Sequence, residues 1–185
     1  MNWLTRNWAI VGGIIAIIVI IMVVFTRNSA SEIQLLFWIH FTALLVHQFE
    51  EYTYPGGFKH FYNEFIRNKS PITKYPLNDN GVLLVNIGIG WTSYVLSAIL
   101  WNRFIWFGIG LLGVTFLNGT MHTIMYFAKR KYNPGLISGI FILIPFVILS
   151  LYIVREHLII ENLILGFITF VIGAAFIPFS IKLTN

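Results

Sequence analysis

The residues best suited to chemistry form one short run, His47-Gln48-Phe49-Glu50-Glu51. On a helix, side chains three and four positions apart are neighbours, so an imidazole and two carboxylates share one face here. Zinc peptidase helices use the same logic, with ligands at i and i+4 and an intervening Glu as general base. In the inverted order His-x-x-Glu-His, this chain offers His47, Glu50 and Glu51, a carboxylate replacing the second imidazole. Zinc accepts His and carboxylate together, and His122 could supply a third ligand while leaving a position for water. The resulting expectation is a divalent metal, zinc first, held by His47, Glu51 and His122, with Glu50 as general base. The spacing alone leaves open which of Glu50 and Glu51 points inward.

Other chemistries use the same residues. A carboxylate-bridged di-iron or di-manganese site needs Glu-x-x-His pairs from several helices. Here Glu32, Glu64, Asp79, Glu156 and Glu161 fall in loops or far from the run, so a four-carboxylate cage is not expected. His47, Glu50, Glu51 and His122 could instead relay protons or bind an ion during transport, since buried Asp, Glu and His chains mark such pathways. They could also form a structural or regulatory polar network. His40, two turns before His47, could share its face. Asn86 and Asn118 are expected as interhelical hydrogen-bonding partners near His122. Tyr132 opens the run Tyr132-Asn133-Pro134-Gly135, which brings further polar groups to the same level.

The elements that must position these groups are set by composition. Of the residues, 57% are hydrophobic and 10% charged, against roughly a quarter charged in soluble domains. With no cysteine, disulfides, cysteine-ligated metal sites and thiol catalysis are excluded. The net charge of +5 does not indicate nucleic acid, because the basic residues punctuate apolar runs rather than forming a solvated basic surface. The pattern predicts an all-α integral membrane bundle, a single transmembrane domain over residues 1–185 whose immediate partner is the lipid bilayer.

A helix needs about 20 mostly apolar residues to cross the hydrocarbon core. Six segments are expected to do so, approximately Trp8 to Phe25, Ile33 to Phe49, Val82 to Leu100, Phe104 to Phe127, Leu136 to Val154 and Asn162 to Ile181. The second is the least apolar, because it carries His40 and His47. The first exceeds the about 7 to 15 apolar residues of a signal peptide and is expected to stay as an anchor. Alternating spans put nine Lys and Arg residues on the side of the N-terminus, Lys69 and Lys74 among them, and three on the other. An excess of Lys and Arg marks the cytoplasmic side, so both termini are expected there. The inner ends of the second and fourth spans and the starts of the third and fifth then bring their polar residues to the cytoplasmic leaflet.

Only the connector from about Tyr52 to Asn80 is long enough to be more than a link. It opens with Tyr54-Pro55-Gly56-Gly57-Phe58, a sharp turn in which proline fixes one torsion and glycines permit unusual ones. Phe58, Phe61, Tyr62, Phe65 and Ile66 then follow helical spacing, which suggests an amphipathic helix at the interface, a surface connector or a lid. Gly108, Gly110 and Gly113 predict close packing of the fourth span.

The ordered set of His47-Gln48-Phe49-Glu50-Glu51, Tyr54-Pro55-Gly56-Gly57-Phe58, Asn118 through His122 and Tyr132-Asn133-Pro134-Gly135 resembles the HXXEE-domain membrane proteins, over roughly residues 38–139. The resemblance implies a small bacterial polytopic protein of the inner membrane, whose motif is its active or binding centre; it supplies no reaction. His47, Glu50, Glu51, Asn118 and His122 match the pattern, and Tyr54 stands where a more hydrophobic aromatic often precedes Pro-Gly-Gly-Phe. The readings combine into a metal-dependent membrane enzyme, hydrolytic on a lipid-like or membrane-anchored substrate, with a transporter and a structural network as alternatives. Oligomeric state is not encoded in any feature of the sequence.

Overall fold

The computed structural model describes residues 3–67 and 77–183, and among these the chain is entirely helical. Six long helices follow in order: α1 Trp3–Thr26, α2 Glu32–Tyr52, α4 Asp79–Ile99, α5 Ile105–Lys129, α6 Leu136–Ile153 and α7 Ile160–Leu183. The short α3, Phe58–Phe61, continues into a wide π turn over Tyr62–Ile66. The middle of the long connector, including Lys69 and Lys74, lies outside the described residues.

Five of the six long helices are long and apolar enough to cross a membrane, and α2 is the exception. This departs from the six equivalent spans expected, and the reason is burial. Between Leu36 and Glu51 only Ile39 and Val46 are exposed, and His40 through Leu45 are buried without a break. Helices α1, α4 and α6 pack against α2, and α5 reaches it through side chains. A helix enclosed by protein has little surface to match to hydrocarbon, so it can carry polar groups provided that neighbours satisfy them. By contrast α1 and α7 present Ile14, Ile17, Ile18, Ile164, Phe167 and Ile168 outward, the surface expected of lipid-facing helices.

Close approach between helices relies on glycine where anticipated. A Cβ on Gly108 would lie 2.2 Å from Phe37 Cζ, with that ring wholly buried against α5. At Gly110 it would meet Thr169 and the Gly166 carbonyl oxygen of α7, and at Gly113 the Phe170 ring. Pairs along the α2–α5 contact advance together: Phe37 with Gly108, His40 with Thr115, His47 with Asn118, Glu51 with His122. The two helices therefore run parallel, and their polar residues meet in register.

The turn after α2 is as sharp as its sequence suggested. Gly56 and Gly57 have φ of 71° and 93°, and the Tyr54–Pro55 peptide is cis. Phe58 is thereby returned onto the bundle, where its ring lies 5.2 Å from that of His122. Overpacking a filled contact costs about 1 to 3 kcal/mol. Gly108→Ala should therefore lower the thermal unfolding midpoint in detergent by displacing Phe37; an unchanged midpoint would contradict the tight α2–α5 seam.

Candidate metal centre

The last two turns of α2 hold the site. His47 and Glu51 stand four apart on one face, and their side chains are buried, at 0% and 7% exposure. From α5, His122 enters at 1% exposure. Glu51 Oε1 is 3.4 Å from His122 Nε2, and Glu51 Oε2 is 3.8 Å from His47 Nε2. One ligand atom from each of the three residues lies within 4.8 Å of the other two.

Hydrogen bonds on the far sides of both rings decide which nitrogens carry protons. The Asn133 amide donates from Nδ2 to the His122 carbonyl oxygen at 3.0 Å, so its Oδ1 faces His122 Nδ1, 2.6 Å away, and accepts the ring proton. In the neutral ring the lone pair is then on His122 Nε2, the nitrogen that faces Glu51 Oε1. The Ser138 hydroxyl donates to Glu50 Oε2 at 2.5 Å, so it accepts from His47 Nδ1 at 2.8 Å. His47 Nε2 is left bare in turn. Two lone pairs and a carboxylate thus converge in a buried space, with one donor in contact, Asn118 Nδ2 at 3.1 Å from His47 Nε2. Such an arrangement of acceptors is electrostatically unfavourable unless a positive charge sits among them. Two imidazole Nε2 atoms and a carboxylate are also the donor set of many catalytic zinc sites.

Glu50 occupies a different environment. Its Oε1 accepts from the Tyr132 hydroxyl at 2.8 Å and the Ile137 amide at 3.1 Å, and its Oε2 accepts from the Ser138 amide at 2.7 Å and the Ser138 hydroxyl. It thereby caps the first turn of α6 from another helix, satisfying amides that have no intrahelical partner. Two adjacent carboxylates are divided between two tasks, because α6 meets one side of α2 and α5 the other. Partial burial first, then the Glu50 hydrogen bond and charge, push the Tyr132 phenol above its ordinary value. It remains a protonated donor through neutral pH.

The other expected residues surround this centre without entering it. His40 is fully buried, bonds Thr115 Oγ1 at 2.7 Å from Nε2 and stacks between Tyr94 and Phe146, forming a second polar cluster one level away. Asn118 bonds His47 rather than His122. Asn86 accepts from Gln48 Nε2 at 3.0 Å and donates to Val82 O and the Tyr52 hydroxyl, so it reaches the site only through α2. Gln48 also accepts from Trp91 Nε1 at 2.7 Å. Ser138 has no motif that singled it out in advance. It is a small polar residue three positions after a positive-φ glycine, Gly135, at a helix start, where hydroxyls are ordinary.

Residues 38–150 match a family model described as a protein of unknown function with HXXEE motif, and the chain belongs to that family. No curated protein and no solved structure matches it.

Removing a partner that orients a metal-binding histidine typically costs about 10- to 100-fold in metal affinity. Asn133→Ala and Ser138→Ala should each weaken binding of added zinc by that order, measured by competition with a chromophoric chelator; unchanged affinity would remove the tautomer assignment. Because the Tyr132 phenol is raised, its contribution to stability is present below the unfolded value near about pH 10 and is lost as pH rises through the folded one. The difference in melting between the native chain and Tyr132→Phe should accordingly be constant from pH 6 to pH 9, and a difference that varies there would contradict the bond to Glu50.

Proposed function

We propose that this protein is a metal-dependent membrane enzyme, hydrolytic in type, whose centre is His47, Glu51 and His122. The observation that carries the reading is the convergence of two bare imidazole nitrogens and a buried carboxylate with a single hydrogen-bond donor. A divalent cation resolves that imbalance, and zinc suits the donor set best. When bound, it would supply Lewis-acid polarisation and an acidified water.

The chain's own residues would do the rest. Glu51 supplies charge, and it is the carboxylate within the ligand cluster among the described residues, so its uncommitted oxygen is the acid–base candidate. Glu50, expected as general base, has both oxygens committed to donors. We assign it a positioning role: it holds Ser138, which orients His47. Phe58 shields His122 from the side of the connector. Were His47 Nε2 to hold a metal, the Asn118 amide that now faces it would be free to donate to a substrate.

In the same reading α2 is the sixth span, enclosed by α1, α4, α5 and α6, and both termini face the cytoplasm. The support is the excess of Lys and Arg on the side of the N-terminus. The centre then lies toward the cytoplasmic leaflet, where a lipid-like or membrane-anchored substrate reaches it. One observation favours a second reading, a structural network without metal: the Asn118 amide already donates to His47 Nε2.

Elemental analysis of the detergent-purified chain, free of a histidine tag, separates the two. About one equivalent of zinc, manganese or iron per chain is expected, lost in His47→Ala, His122→Ala and Glu51→Gln while helicity persists. Absence of metal after reconstitution would leave the network reading. Glu50→Gln should retain metal and lose about 1 to 3 kcal/mol of stability through its orphaned amides; a variant of undiminished stability that is metal-loaded and inactive would return Glu50 to the role of base.

A further inference from the structure

A cavity of about 680 Å³ lies beside the metal centre, walled by α2, α4, α5 and α7. Glu51 and Asn118 line it, so it is continuous with the ligand cluster. Its length follows from α5. Trp106 and Asn118 both face it, and twelve residues of helix at 1.5 Å each place them roughly 18 Å apart. Among the described residues Glu51 is the one charged side chain in the wall, and the amides Gln48, Asn86 and Asn118 stand near it. The remaining wall is mostly apolar. Ile172, Phe176 and Ile177 of α7 line the cavity and are exposed, and the cavity is partly open rather than enclosed.

The shape restricts the occupant. A long space with one charge at one end has no partner for a charged or strongly polar body, whose burial would be costly. A peptide segment would bring backbone amides that the apolar wall cannot satisfy. A hydrocarbon chain asks for nothing the wall lacks. A lipid already resident in the bilayer could enter past α7 without crossing water.

We propose that the substrate is an acyl lipid bound with one hydrocarbon chain in this cavity. The methyl end lies near Trp106, and the polar linkage between chain and headgroup lies against Glu51 and Asn118. This rests on the reading of the His47, Glu51 and His122 cluster as the reactive centre. The chain length that the cavity accepts sets which linkage reaches Glu51, so the same wall supplies both binding and selection.

Photolabelling tests the placement. The full chain in phosphatidylcholine nanodiscs would be exposed to trace phosphatidylcholine carrying a diazirine either at the methyl end of one acyl chain or beside its carbonyl, then digested and mapped. The methyl-end probe should label the segment containing Trp106 and Leu111, and the carbonyl-end probe the segment containing Asn118. Ser93 and Val114 line the middle of the cavity. Ser93→Phe combined with Val114→Phe should reduce both labels by roughly tenfold or more while the outward-facing Ile148 and Phe167 still react. If the double variant fails to fold, Ser93→Leu alone serves. Labelling confined to outward-facing residues, equal for the two probes, or indifferent to filling the cavity would overturn the proposal. Repeating the map on Glu51→Gln separates the two readings: labels that persist there keep the chain site even if no metal is found, and a metal-loaded protein without cavity labels loses the chain site alone.

Discussion

A carboxylate and two imidazoles buried inside an apolar bundle are the constraint to which the surrounding structure answers. Taking Glu51 out of water costs several kcal/mol unless opposite charge or donors replace the lost solvent. Among the described residues, one donor touches the cluster on its inner side, the Asn118 amide. Around it, however, almost every polar group is spoken for: Asn133 holds His122, Ser138 holds His47, and Glu50 holds Ser138. Paired on their outer sides and turned toward one another on the inner, His47, Glu51 and His122 form a group that could hold a metal ion.

The arrangement explains why α2 differs from its neighbours. Its polar residues are affordable only because α1, α4 and α6 enclose it and α5 runs parallel with matching groups. Two levels result, His40 with Thr115 and Tyr94, and below it His47, Glu51 and His122 with Asn118. The mostly apolar cavity lies among α2, α4, α5 and α7, with Phe58, Tyr62 and Leu77 of the connector also in its wall. Gly90 and Gly173 stand in its wall, and side chains there would occupy part of it.

Much of this was legible in the residues. The five apolar helices announce themselves by length and hydropathy, and the separation of His47 from Glu51 by one helical turn already placed an imidazole and a carboxylate on one face. His122 was reachable by reasoning because α5 returns to the same level as the end of α2. The choice between Glu50 and Glu51 was not legible, since it depends on which helix lies on which side of α2. Ser138 was invisible for a similar reason: it is 88 positions from Glu50, and nothing in its immediate neighbours marks it. The partners of Asn86 were not legible, because its depth can be read from the sequence and its rotation cannot; it turns toward Gln48 and Tyr52. The cavity belongs wholly to tertiary packing, being the space left among four helices.

The segment from Tyr132 to Ser138, between α5 and the first turn of α6, makes seven hydrogen bonds to Glu50, His47 and His122. Tyr132 and Ser138 meet Glu50, Asn133 meets His122, and Ser138 meets His47; Gly135 lies so near the His122 ring that a Cβ there would come 2.4 Å from its Cε1. Both imidazoles, though borne on different helices, are thus steered by one stretch of seven residues. A displacement of that stretch would disturb both rings at once, so the two imidazoles share one support, as two bolts share a plate.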